Sequence, residues 1–298
     1  MADVAAELAR LFMVAPEPPT RIPTVRELAR AHGSSPASIH SAISRLVDTE
    51  AISIETRGRL GAFLVGRSMG RLWAAAEDGP LVVSLPLASS IRYEALATAL
   101  KRQLTAAGLD VFMIFVRGSR QRLQAVRDGR CHLAVMSSFA AVELCGPNEV
   151  VVLELPRRSY NTGHRVFYAA PPEERPLRVI IDPYSADQQL LSALEFEGTS
   201  VEFVPAMGGQ ITRLLDSDQA DAAVWTVDEM QVRRPDRILD RPLRRAVRDA
   251  IGDRDTRAAL VCQATLAPSL RALTAVINRD QLTAVQRDVI AGRIVPEY

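Results

Sequence analysis

Hydroxyls, an arginine, a carboxylate and an indole stand directly after short apolar runs in the larger part of the chain. Ser89 and Ser90 follow the run 81–85, Arg117 and Ser119 follow 110–116, and Ser137 and Ser138 follow 132–136. Asp182 and Tyr184 follow 178–181, and Trp225 closes 222–225. Free N–H groups at a helix start favour anions, an arginine can fork onto a carboxylate or phosphate, and an indole can stack on a ligand. Each also has a plainer use: the serines as helix caps, Arg117 as a solvated charge, Trp225 as a core residue and Met207-Gly208-Gly209 as a turn. As a set they fit a small polar or anionic metabolite held in a cleft.

Catalysis asks for more than this set offers. The histidines are His32, His40, His132 and His164, and only His164 lies in a polar loop, 158–164, able to line a cleft. There is no nucleophile elbow, P-loop, HExxH or GxGxxG pattern. Asp182 and Glu94 are a candidate general-acid pair, which keeps a lyase-type enzyme as the alternative. Cys131, Cys145 and Cys262 are widely spaced, without zinc-site pairing. The reading is therefore of a binding protein that is not an enzyme, with no catalytic residue, no metal and no cofactor.

The elements that must position these groups alternate between apolar strand runs and amphipathic helices from Leu81 onward. Strands at 81–85, 110–116 and 132–136 interleave with helices at 91–107 and 120–127. A second set follows at 178–181, 186–194, 200–204, 209–215 and 222–225. Such alternation implies an α/β fold of two lobes with parallel sheets and a ligand cleft at the carboxyl ends of the strands. Within Asn148 to Ala170, runs at 150–155 and 165–169 read as strands crossing between the lobes. The part from Leu260 returns to the first lobe.

Residues 23–65 carry a different pattern. Val25, Leu28 and Ala29 make a short helical stripe that His32-Gly33-Ser34 interrupts. Ser35 then caps a second helix with Pro36 at its first position, and Ile39, Ala42, Ile43, Leu46 and Val47 form its buried stripe. Its free face shows Ala37, Ser38, His40, Ser41, Ser44 and Arg45, small or hydrogen-bonding groups that allow close approach to base edges. Residues 51–56 and 62–65 form a hairpin whose turn carries Arg57 and Arg59, within reach of a sugar-phosphate backbone. An ordinary hairpin with solvated arginines is the alternative. The order is that of a winged helix-turn-helix, whose expected partner is double-stranded DNA. The domains so read are 1–66, a linker at 67–80 that contains one short helical run, 71–76, closed by Glu77-Asp78-Gly79-Pro80, and 81–298.

Over 298 residues, 48% are hydrophobic and the net charge is +1, which gives no strong basic footprint for nucleic acid. Residues 1–70 hold eight arginines against seven acids. DNA binding would then rest on a local stripe and on a homodimer facing a palindromic site. The start, Met1-Ala2-Asp3-Val4, is acidic and amphipathic rather than a leader, and no run of about 18 apolar residues exists to span a membrane. The expected place is the cytoplasm.

Residues 22–65 resemble the GntR-type winged helix at Ile22-Pro23-Thr24, Arg26-Glu27-Leu28-Ala29, Gly33, Ser38-Ile39, Ala42, Arg45-Leu46 and the hairpin glycines with Phe63. Residues 81–136 are similar to the start of a type 2 periplasmic-binding-protein-like domain, such as the effector domains of LysR regulators. With Pro86-Leu87 ahead of Tyr93-Glu94-Ala95-Leu96-Ala97, the whole resembles the YhfZ family of GntR-like regulators. The resemblance implies DNA contact by Arg26, Ser38, Arg45 and the hairpin. Pro36 and His40 stand where GntR-type helices commonly carry arginines. Ser35, His40 and Ser41 join the candidate DNA face from the residue reading alone.

Overall fold

The structure, a computed structural model, describes residues 3–77, 79–169, 176–231 and 234–298. Met1, Ala2, Asp78 and Ala170, named above, lie outside the described residues. Internal contacts divide the chain into two compact units. One is Met1–Val82 with Leu100–Phe112 and Thr265–Asn278; the other is Val83–Ala99 with Met113–Ala264 and Arg279–Tyr298.

In the first unit, α1 (Val4–Val14) is capped by the Asp3 carboxylate and buries Ala5, Leu8, Ala9, Phe12 and Met13, one face at a helical period. Strand β1 (Thr20–Arg21) precedes α2 (Val25–Ala31), which starts in a capping box. Thr24 N–H donates to Glu27 Oε2 at 2.7 Å, and Glu27 N–H donates to Thr24 Oγ1 at 3.3 Å. Gly33 then turns the chain at φ 57° into α3 (Pro36–Asp48), whose first turn is closed by Ser38 N–H donating to Ser35 Oγ at 3.1 Å. Ile39, Ala42 and Leu46 are buried, but Val47, expected in the same stripe, is 39% exposed. One residue after Leu46, it has rotated about 100° around the helix and off the apolar face. Strands β2 (Ile52–Thr56) and β3 (Ala62–Arg67) form the hairpin, and β1 pairs with the other edge of β3.

The helical run expected at 71–76 lies within α4 (Met69–Glu77), with Gly70, Leu72, Trp73 and Ala76 buried. Alanine and leucine favour helix over extended linker. Gly70 permits close packing, since a Cβ there would lie 1.8 Å from the Gly108 carbonyl oxygen.

Two five-stranded sheets with their helices form two lobes, most of which lie in the larger unit. The first uses β4 (Leu81–Leu85), α5 (Ile91–Ala106), β5 (Val111–Phe115), α6 (Ser119–Arg127), β6 (Leu133–Ser137), α7 (Ser138–Leu144) and β7 (Glu149–Glu154). The second uses β8 (His164–Tyr168), β9 (Leu177–Ile181), α8 (Ala186–Glu195), β10 (Val201–Pro205), α9 (Ile211–Asp216), β11 (Ala222–Thr226), α10 (Val227–Met230), β12 (Leu239–Pro242) and α11 (Arg245–Ile251). Strand β13 (Ala258–Gln263) then rejoins the first sheet. Helix α12 (Ala267–Thr274) packs on α1 within the first unit, and α13 (Arg279–Ile290) follows.

Both sheets are mixed rather than parallel. The first runs β5-β4-β6-β13-β7, with β4 parallel to β6 and β13 antiparallel to both neighbours. The second runs β10-β9-β11-β8-β12, with β9 parallel to β10 and β11, and β8 antiparallel to β11 and β12. A helical crossover enforces parallel pairing, and β8 and β13 enter their sheets from the other lobe without one. The crossing itself is made by the irregular segment 155–163, because β7 and β8 each end inside their own sheet.

Period-two alternation divides the second lobe's core. Val166, Val179, Ala222 and Val224 face one way with Leu191 of α8 and Val247 of α11. Phe167, Ile180, Ala223 and Trp225 face the other way with Ile211 and Leu215 of α9. That alternation sets the side on which Trp225 projects.

Candidate functional site

A cavity of about 500 Å³ lies between the two lobes of the larger unit. Its size suits a small molecule. Of the residues expected from the sequence, Ser89, Arg117, Ser119, Asp182 and Trp225 line it together. Arg117 Nη2 donates to Asp182 Oδ2 at 2.7 Å, and Ser89 Oγ donates to Glu229 Oε1 at 2.7 Å. Trp225 Nε1 donates to Glu229 Oε2 at 2.5 Å. Ser119 Oγ accepts from Ala186 N–H at 3.1 Å and ties α6 to the start of α8.

Ser90, Ser137, Ser138 and Tyr184 do not line the cavity. Ser90 is buried under α5, where its Oγ accepts from Tyr93 N–H. Ser137 caps α7, accepting from Ala140 N–H at 2.9 Å, and donates to Asp187 Oδ1 at 2.6 Å. Ser138 is buried with its hydroxyl unpartnered. Tyr184 is 42% exposed, and its backbone packs against Gly118, where a Cβ would meet Tyr184 O at 2.3 Å. Three of these four thus do local work at helix starts or turns, as their positions also permitted. Glu94, weighed as a partner for Asp182, lies outside the lining, 3.5 Å from the Tyr298 hydroxyl.

Other lining groups come from places that the strand-end rule does not reach. Arg122 sits on the buried face of α6 with Leu123 and Val126. It donates to Val135 O at 2.7 Å, Val116 O at 2.8 Å and the Tyr160 hydroxyl at 2.9 Å. Asp187 occupies the buried face of α8 with Leu191. Glu229 falls three residues after Thr226, the cap of α10, where it reads as an ordinary helix-start acid. Asn161 lies in the crossing segment and donates from Nδ2 to Asp255 O at 3.0 Å, while His164, expected in a loop, opens β8. The signal for Arg122 and Asp187 was available: a charge on an otherwise apolar helix face marks a buried polar role.

Burial dominates the electrostatics. It pushes the Asp187 carboxyl up against the charge of His164 and the Ser137 hydrogen bond, and the Glu229 carboxyl up against its donors Ser89 and Trp225. The Tyr160 phenol is pushed up to about 12, again by burial. For His164, burial opposes the charged form, but the hydrogen bond to Asp255 at 2.7 Å and that carboxylate's charge outweigh it, and the pKa stands above its ordinary value. Asn161 Oδ1 and Gln188 Oε1, both in the lining, are buried acceptors without a partner.

The candidate DNA face belongs to the first unit. His40 and Ser41 are exposed on α3, and Arg26 is exposed on α2. The Ser35 and Ser38 hydroxyls lie 2.9 Å apart, bonded to each other. Arg45 Nη2 stands 2.9 Å from Asp3 Oδ2, with both side chains more than half exposed. Arg57 pairs with Glu55 at 2.8 Å and stacks over the Phe63 ring, while Arg59 is exposed in the turn between β2 and β3. Gly61 closes that turn at φ 93°.

Two α/β lobes joined by a crossing segment around a cavity define a two-lobed α/β fold. Residues 69–298 match the YhfZ C-terminal domain family, and the chain belongs to the YhfZ family. The uncharacterized protein YhfZ of Escherichia coli (strain K12) is 28% identical over 286 residues, covering 93% of this chain and 91% of that protein. The crystal structure of YhfZ from Shigella flexneri superposes with a TM-score of 0.61 at 26% identity, over 74% of this chain and 93% of that one. A periplasmic substrate-binding protein of an ABC transporter from Coxiella burnetii is a more distant likeness, with a TM-score of 0.47 at 14% identity over 73% of this chain and 100% of that one. Among the described residues, no helix is long and apolar enough to cross a membrane.

Proposed function

We propose that this protein is a ligand-responsive transcriptional regulator. It binds operator DNA through a GntR-like winged helix formed by α2, α3 and the β2–β3 hairpin. It senses a small molecule in the cavity between the two lobes, and it performs no catalysis.

One observation carries the reading: the capped helix α3 follows α2 over a tight turn, precedes a hairpin, and keeps an outer face of Ala37, Ser38, His40, Ser41 and Arg45 exposed. A solvated helix with no partner generally carries a mixture of long charged side chains there. Small hydroxyls and one imidazole instead permit approach to base edges, with Arg57 and Arg59 near the backbone. A homodimer would present two such helices to successive major grooves, and ligand binding would alter their spacing. A coupling of about 1–3 kcal/mol suffices for a severalfold change in occupancy.

The test is fluorescence anisotropy of the full chain on DNA from upstream of its own gene, with competitor DNA and a salt series. Sequence-selective, dimer-sized complexes are expected. Weak binding indifferent to sequence would overturn the regulator.

A further inference from the structure

The cavity's chemistry narrows the ligand that this reading requires. With Arg117 paired to Asp182 and His164 to Asp255, the remaining acid and base side chains of the lining are Arg122 on one side and the two carboxyls of Asp187 and Glu229 on the other, so acidic groups outnumber the unpaired basic one. Arg122 already spends N–H groups on Val135 O, Val116 O and the Tyr160 hydroxyl. On the neutral side, Asn161 is 1% exposed and Gln188 3%, yet Asn161 Oδ1 and Gln188 Oε1 have no donor. The Asn161 orientation is fixed by its Nδ2 bond to Asp255 O. A buried acceptor without a donor is costly, and a ligand N–H would supply the missing bond. The walls include Tyr93 and Tyr160, with ring centroids 5.2 Å apart, and Trp225. Aromatic faces attract cations.

We infer that the cavity takes a small molecule bearing a protonated amine. Asp187 and Glu229 are its counter-charges, Asn161 Oδ1 and Gln188 Oε1 accept from its N–H groups, and Tyr93, Tyr160 and Trp225 wall it in. The inference rests on the ligand-sensing reading of this site and replaces the anionic ligand expected from the strand-end residues, because Arg117 is committed to Asp182.

The test is a thermal-shift and calorimetry panel on the full chain. The probes are the common amino acids, ethanolamine and putrescine, each beside its fully N-acetylated counterpart, with succinate, citrate and glycerol 3-phosphate as amine-free anions. At least one amine should raise the melting temperature and bind, and its N-acetyl form should bind at least about tenfold more weakly. Glu229→Gln and Asp187→Asn should each weaken that amine by about tenfold or more, with ligand-free melting showing the variants folded. The acetylation comparison needs no variant. Binding by the anions instead, an acetyl form that binds equally, or no amine bound at all overturns the inference. The DNA experiment above is separate, so loss of operator binding with amine binding intact would sink the regulator and leave the ligand class standing.

Discussion

Arg117 Nη2 stands 2.7 Å from Asp182 Oδ2, an ion pair that runs from the loop after β5 in one lobe to the loop after β9 in the other. The Asp182 side chain is 7% exposed, so removing the guanidinium strands a buried charge. Arg117→Ala should therefore cost about 2–3 kcal/mol in urea unfolding, below the full penalty of a deeply buried pair because Arg117 is partly solvated. The double variant Arg117→Ala/Asp182→Asn should recover part of that loss. A double variant no more stable than Arg117→Ala would mean that the two groups do not act as a pair.

Gly118 stands at φ 72° with its hypothetical Cβ 2.3 Å from Tyr184 O, whereas Gly129, at φ 69°, has nothing within 4 Å. A positive φ strains alanine at both positions, and Gly118, whose ψ of 139° lies in a region kept largely to glycine, adds a backbone clash. Gly118→Ala should lower the melting temperature clearly more than Gly129→Ala, since the obstructing atom is main chain. Equal shifts would show that the Tyr184 loop gives way.

Much of this was legible in the residues, for reasons that can be named. Ser35-Pro36 states a helix start locally, and α3 begins there. Loops after strands pointed to Ser89, Arg117, Asp182 and Trp225 because backbone direction alone places them at a sheet's end. Strand direction was not legible: the continuous apolar run of Ala258–Gln263 is the same whether it pairs parallel or antiparallel. Nor was the place of Arg122, Asp187 and Glu229 in the lining legible: a charge on an apolar helix face marks burial for the first two but not the cavity beside it, and Glu229 reads as a helix-start acid.

The Ser35 cap provides a local check on the first unit. Ser35→Ala removes the acceptor for Ser38 N–H at 3.1 Å and should cost about 1 kcal/mol, with Ser35→Asp restoring most of it. Denaturant midpoints would report both. A destabilisation that aspartate does not rescue would assign the loss to the Ser35–Ser38 hydroxyl contact rather than to the cap.

Stability should decline as pH rises. His164 has a folded pKa above its ordinary value, so the folded state holds the proton more tightly than the unfolded chain. That contribution is fully present below about pH 6.5 and is lost as pH rises through the raised value. Asp187 and Glu229, also raised, act with the same sign at lower pH. Melting temperatures taken from pH 6 to pH 9 should fall, and His164→Gln should flatten the profile. An unchanged slope in that variant would move the titration to another group.

Asp3 holds Arg45 by an exposed pair at 2.9 Å while its Oδ1 also caps α1 through Ala5 N–H at 3.0 Å. The cap and Arg45 hold the Asp3 carboxyl below its usual range, so it is charged at neutral pH. A phosphate contact by Arg45 must compete with that carboxylate, and Asp3→Asn removes the competitor while asparagine still caps the helix. If α3 lies on DNA as proposed, Asp3→Asn should bind DNA more tightly at unchanged melting temperature. Arg45→Ala should bind more weakly, with the slope of log affinity against log salt reduced by about one unit. Arg59→Ala should reduce the slope similarly, because no ion pair among the described residues holds Arg59. Salt slopes identical in all three variants would remove the α3 end and the hairpin tip from the DNA contact surface.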